Sequence, residues 1–216
     1  LARSVSLNHD ILILEYIEND GCASPSAEAD IADQLATLHA ISNDNFGLGF
    51  DTTIGPLPQP NNYKDSWVDF FKDHRLLFMS AYALDKGNLT PSVHEQILTL
   101  ADDLHNYITE PKQPSLIHGD IWGGNVLYNK GVLAAFIDPA IYFGHFEMEI
   151  AYASFFNTFS RNFYDRYNDR HKLDEDFFKI REAVYHLYPL LVHCAIFGEP
   201  YISQTQRQLD KIKRLY

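Results

Sequence analysis

Four side chains within residues 118–138 have the types and spacing to do chemistry. "LIHGDIWGGNVL" carries His118, Asp120 and Asn125, and Asp138 follows in "FIDPA". Between them lie two short apolar runs, "NVLYN" and "GVLAAFID", joined around Asn129, Lys130 and Gly131, where glycine permits the positive φ of a tight hairpin. Such a hairpin folds the Asp120 to Asn125 loop back beside Asp138, so two carboxylates and an amide converge. Hard oxygen donors suit Mg²⁺, which keeps water and substrate phosphates in its remaining positions. A carboxylate left off the metal can orient an alcohol and accept its proton. These are the parts of a kinase-type phosphoryl transferase: one Asp as base, an Asn and a second Asp on the metal. Pro139 is expected to push Asp138 out of the α region into extended backbone at a strand end.

Helices dominate the elements that must position this group. "DILILEYIE" reads as a strand buried on both faces. Ile31, Leu35 and Leu38 recur at helical spacing in a helix starting near Asp30. "NFGLGFDTTIGPLPQPNNY" has no sustained period and reads as a long structured loop with function in it or near it. Trp67, Phe70, Phe71 and Leu77 mark one further helix. Val93 through Ile108 mark another, with Pro91 in its first turn. From Met148 onward the chain is again mostly helical.

Composition narrows the function classes. A chain of 216 residues buries a full core. A net charge of −12 repels nucleic acid, and no apolar run approaches the length of a membrane span. Cys22 and Cys194 form no ligand pattern and no disulfide scaffold, which fits a reducing cytoplasm.

"HGDIWGGN" followed by "IDPAIYFGHFEMEIA" resembles the catalytic core of the fructosamine kinase (ketosamine kinase) family, a branch of the aminoglycoside phosphotransferase and protein-kinase-like fold. "LATLHA", "GLGFD", "IG" and "PQPNN" before "SWVDFFKDHRL" extend the likeness over almost the whole chain. The resemblance implies an α+β protein-kinase-like fold, mainly its helical C-lobe: residues 1–19 as the end of the N-lobe sheet and the hinge, residues 20–216 as the C-lobe. It implies ATP and Mg²⁺ as cofactors and phosphorylation of a ketosamine on the sugar's third hydroxyl, which labilises the adduct and deglycates amines or proteins. Asp120 resembles the catalytic Asp, Asn125 and Asp138 the Mg²⁺ ligands, and Glu15, Tyr16 and Ile17 the main-chain adenine-binding hinge. Trp122 is the candidate to pack on the sugar, and Glu147 and Glu149 are candidates for an acidic rim facing the cationic amine. Ten residues or fewer precede "DILILEYIE", too few for the fold's phosphate-covering loop and Lys–Glu pair, so this stretch by itself is expected to turn over little or no ATP.

Other readings stay open on the residues alone. A metallohydrolase could be built from His118, Asp120, Asp138 and His145. A non-catalytic sugar-amine binding module and an aminoglycoside or choline kinase are the remaining alternatives. His118 is expected to be structural, bonding backbone groups. His39 is expected to complement a helix C-terminus, Trp67 to sit in the core, and Arg75 to pair with a carboxylate structurally.

Overall fold

The computed structural model describes residues 4–7, 12–21 and 23–216. Helix α1 (Pro25–His39) starts five residues before the expected position, because Ser24 caps it and proline opens its first turn. Those residues resemble turn residues when read only for periodicity. Ile31 and Leu35 are fully buried, and the helix lies along α6 (Arg161–Asn168), where Arg166 and Arg170 both reach Asp33 at 2.7 and 2.9 Å.

The Gly- and Pro-rich stretch holds a small hairpin, β3 (Thr52–Ile54) against β4 (Leu57–Gln59), turned at Gly55 with φ +54°. Strands of three residues are too short to display alternation, so the period was invisible. Helices α2 (Trp67–Phe71) and α3 (Phe78–Asp85) form the expected helical run, interrupted by a π turn at Lys72–Leu77. Trp67 is fully buried among Phe46, Phe70 and Phe71, and its indole N–H donates to the Tyr185 hydroxyl at 3.0 Å. Helix α4 (Pro91–Asp102) has Pro91 in its first turn as expected, but it stops at Asp102. Leu104 and Ile108 are buried from a following 3₁₀ turn and loop instead of continuing the helix.

Strand β5 (Ser115–Ile117) runs antiparallel to β8 (Tyr142–Gly144), and β6 (Val126–Asn129) to β7 (Val132–Phe136). Lys130 and Gly131 take φ of +52° and +78°, the double positive turn that matches hairpin twist. The helical second half comprises α5 (Phe146–Phe155), α6, α7 (Glu182–Tyr185), α8 (Leu187–Phe197) and α9 (Tyr201–Leu215).

At the other end, β1 (Ser4–Leu7) pairs antiparallel with β2 (Leu12–Leu14). The strand expected over "DILILEYIE" is shorter, and Asp10 and Ile11 lie outside the described residues. It is not buried on both faces: Ile13 is half exposed and Tyr16 is 86% exposed. Among the described residues the pair forms a two-stranded sheet. Asp20 then ties the chain to the β6–β7 hairpin, its N–H donating to the Tyr128 carbonyl and its carboxylate accepting from the Lys130 N–H, both at 2.9 Å. No described helix is long and apolar enough to cross a membrane.

Two buried imidazoles make the fold acid-sensitive. Burial, followed by the nearby Arg181 charge, pushes His145 down to about 3. Burial and then Lys211 push His186 down to about 4. Below the ordinary histidine value the unfolded chain binds protons that the folded chain refuses. Stability present above about pH 6.5 is therefore lost on acidification, at about 1.4 kcal/mol per pH unit for each group. Urea midpoints should fall steeply from pH 6 to 4. His145→Asn, which keeps a helix-capping side chain, should lower that slope by about one proton's worth; an unchanged slope would assign the acid sensitivity elsewhere.

Candidate active site

The loop after β5 is shaped by a carboxylate from another element. Glu149, on the first turn of α5 and 1% exposed, accepts from the backbone N–H groups of His118 (2.9 Å) and Gly119 (2.7 Å). Its Oε2 also meets His39 Nε2 at 2.9 Å, and His39 Nδ1 meets the Tyr167 hydroxyl at 2.6 Å. Burial by itself would raise the Glu149 carboxyl, but the His39 hydrogen bond and the His118 N–H hold it below the ordinary value. His39 thus does more than complement a helix end: it is 1% exposed and joins α1, α5 and α6.

His118 has the structural role expected of it. Its Nε2 lies 3.0 Å from the Ile137 carbonyl, and its Nδ1 accepts from the Asp120 N–H at 3.3 Å. Ala140 N–H donates to the His118 carbonyl and Ile137 N–H to the Asn125 carbonyl, at 2.9 and 3.0 Å, so the two loops are stitched by main chain. Gly119 takes φ +84°, and a Cβ there would lie 2.2 Å from the Ala140 carbonyl oxygen. Only glycine admits that approach.

Asp120 is thereby held beside Asn125. The Asn125 amide nitrogen donates to the Asp120 carbonyl (2.8 Å) and to its Oδ2 (2.9 Å), and the Tyr152 hydroxyl donates to Oδ1 at 2.7 Å. Burial raises the Asp120 carboxyl, and the Tyr152 and Asn125 hydrogen bonds oppose that rise. Burial holds the Tyr152 phenol well above its ordinary value, so it remains a donor. The sequence reading missed Tyr152, whose only signal is its place one helical turn after Glu149 on α5.

Asp138 is exposed, just beyond β7. Its backbone is not extended: φ is +49°, in the left-handed region that Asp tolerates better than most residues. The proline restriction gives way because Ile137 and Ala140 on either side are pinned to the Asn125 and His118 carbonyls. With the Asn125 nitrogen committed to Asp120, its amide oxygen and the Asp138 carboxylate are the groups suited to a hard cation. Among the described residues no cluster of three or more His, Cys, Asp and Glu could hold a metal, so the His118, Asp120, Asp138 and His145 set of a metallohydrolase is not assembled. His145 is buried and accepts from the Glu147 N–H at 3.1 Å.

Asp120 also opens into a cavity of about 300 Å³ walled by Ile54 and Gly55 of the β3–β4 turn, Trp122, Tyr152, Phe156 and the α8 face bearing His193. Trp122 is 43% exposed and leans on Phe156 with ring centroids 6.1 Å apart. Glu147 is not brought here. It is 3% exposed and its two carboxylate oxygens bond Arg181 at 2.7 and 2.8 Å. An acidic rim from Glu147 and Glu149 therefore does not form, because both carboxylates are spent inside the core. Glu15, Tyr16 and Ile17 follow β2 as irregular backbone, with the Tyr16 side chain exposed. Arg75 is fully buried and among the described residues meets no carboxylate: it bonds the Pro60 and His74 carbonyls and Asn61 Oδ1 and lies over the Tyr142 ring at 4.0 Å.

A helical domain whose short hairpin brings an Asp–Asn loop beside a second Asp has a protein-kinase-like fold. The backbone of Cryptosporidium parvum choline kinase superposes with a TM-score of 0.64 at 14% identity, covering 99% of this chain and 73% of that one. The model of the fructosamine kinase family matches residues 1–215, and the chain belongs to that family, whose members are ATP-dependent ketosamine kinases. The "Probable ketoamine kinase" of Pasteurella multocida is 32% identical over 208 residues, which are 96% of this chain and 70% of that protein. The chloroplastic protein-ribulosamine 3-kinase of Arabidopsis thaliana is 31% identical over 209 residues, 94% of this chain and 62% of that one. A Thermobifida fusca crystal structure assigned as a fructosamine-3-kinase reaches a TM-score of 0.90 at 30% identity, covering 99% and 74% of the two chains.

The close approach at Gly119 yields a direct test. Gly119→Ala should shift the Asp120 loop away from Ala140 and lower kcat by about a hundredfold, the scale of an ångström-level misplacement. Steady-state kinetics of the full-length enzyme would show it; wild-type turnover would contradict the packing described.

Proposed function

We propose that the protein transfers the γ-phosphoryl group of ATP to the third hydroxyl of a ketosamine sugar, with Asp120 as the base, and so deglycates small or protein-bound amines. The observation that carries this reading is the Asp120 carboxylate at the floor of a largely apolar cavity, with Asn125 bonded to it and the Asp138 loop stitched alongside. Family membership and the ribulosamine named for the plant relative support the substrate class.

Each side chain has a definite task. Tyr152 and Asn125 fix the two Asp120 oxygens, leaving lone pairs directed by those bonds to orient the sugar hydroxyl and take its proton as the new P–O bond forms. Asn125 and Asp138 would hold Mg²⁺, which when bound neutralises charge on the phosphates. The Glu15 to Ile17 main chain would meet adenine, with residues 1–19 as the end of the N-lobe sheet and hinge and residues 20–216 as the C-lobe. Trp122 offers its face to the sugar and to the cationic secondary amine beside it, a contact worth about 0.5–2 kcal/mol. Cys194, a buried free thiol, is in keeping with a cytoplasmic setting.

An ATP-coupled assay on the full-length enzyme with a ribulosamine and a fructosamine tests these roles. Asp120→Asn should lower kcat by about 10²–10⁴-fold, the usual weight of a general base, with the KM for ATP little changed. Trp122→Ala should raise the acceptor KM by roughly 3- to 30-fold and leave ATP alone. Ketosamine-independent ATP consumption, or full activity in Asp120→Asn, would remove the assignment.

A further inference from the structure

The "PQPNN" stretch has so far no part in the chemistry, yet it contains Gln59, which is fully buried and bonded through both ends of its amide. Its nitrogen donates to the Ala140 carbonyl at 3.0 Å and to Thr52 Oγ1 at 2.8 Å. Its oxygen accepts from the Tyr188 hydroxyl at 2.7 Å. Three of the four hydrogen bonds open to a glutamine side chain are thus made inside the core, to three different elements.

The Ala140 carbonyl is the atom that crowds Gly119, and the Ala140 N–H bonds the His118 carbonyl. Gln59 therefore ends on the junction between the Asp120 loop and the Asp138 loop. Through the same nitrogen, and by its backbone pairing with Thr52, it closes the β3–β4 hairpin, whose tip residues Ile54 and Gly55 line the cavity together with Trp122. Asn61 extends the chain of bonds, donating to Thr52 Oγ1 at 2.9 Å and accepting from Arg75 at 2.8 Å. The hairpin has one short ladder of its own, and this polar network joins it to the catalytic loops.

From this geometry we infer that the β3–β4 hairpin is the acceptor-selecting wall of the cavity and that Gln59 is the positioning residue that registers it to the catalytic loops. The selection rests on the ketosamine reading of the site; the tether does not. The Asp120 and Asp138 loops are held to each other by their own main-chain bonds, so loss of Gln59 frees the hairpin and leaves the phosphate side in place. Ile54 then sets how long a sugar the cavity accepts.

The experiment compares wild type, Gln59→Met and Ile54→Ala in the full-length protein, with a fructosamine and an erythrulosamine of the same amine as acceptors. Gln59→Met should raise the KM of both acceptors about tenfold while the KM for ATP stays within about twofold, the loss expected for a buried hydrogen bond on one side of the site only. Ile54→Ala, which removes three carbons from the wall, should shift the kcat/KM ratio about tenfold toward the longer sugar, the lower end of the discrimination a change of pocket volume commands. An ATP KM that rises as much as the acceptor's, or an unchanged sugar ratio in Ile54→Ala, overturns the inference. Backbone hydrogen exchange read on the same proteins decides the tether without any substrate. Residues 52–59 should exchange at least tenfold faster in Gln59→Met while residues 115–120 do not; equal protection in wild type and variant refutes it. Wild type inactive on both ketosamines would sink the proposed function and leave the exchange result to judge Gln59.

Discussion

The Glu149 carboxylate is the constraint on which the site depends. One buried anion accepts two consecutive backbone N–H groups and an imidazole, and those three donors come from β5's loop and from α1. Taking a carboxylate out of water is costly unless its lone pairs are filled, and here they are. The loop cannot relax away from α5 without leaving that charge unpaired. The backbone before Asp120 is therefore set before any substrate arrives, as pre-organised transition-state stabilisation requires.

The same logic recurs around it. Glu147 and Arg181 form a buried bidentate pair, with Asp174 accepting a further bond from Arg181 at 2.6 Å. Arg75 has no anion partner among the described residues and is held by carbonyl dipoles and aromatic faces. These networks contribute little net stability compared with well-packed apolar groups, but each one fails sharply when a partner is removed. They make the relative placement of α1, α5 and the loops close to all-or-none, which suits a site that must align two substrates.

Local signals in the chain were strong where a residue's role is local. The helical period, Pro91 in a first turn and the Lys130–Gly131 hairpin all appeared as read, because each depends on neighbours within a few positions. The start of α1 and the end of α4 shifted by five and six residues, since a capping serine with proline after it and a terminating turn outweigh periodicity at a helix end. The three-residue strands β3, β4 and β8 escaped because they are too short to show a pattern. Asp120 and Trp122 line one cavity, with Asn125 bonded to Asp120 behind it, but Glu147 and Glu149, equally acidic in sequence, turned inward to pair with Arg181 and His39.

By itself the sequence determined the helical plan and the hairpin that returns Asp138 to the Asp120 loop, both carried by residue type at short spacing, and its resemblance to the fructosamine kinase family implied the chemistry. Tertiary structure alone decided which carboxylates face the cavity and which are spent inside the core. It also placed Asp138 in the left-handed region despite the following proline, and it joined Gln59 to Ala140, 81 residues away. The physical reason is the same in each case. A buried polar group takes the partner that packing brings within about 3 Å, and that partner is chosen by how distant elements meet, which no local pattern encodes.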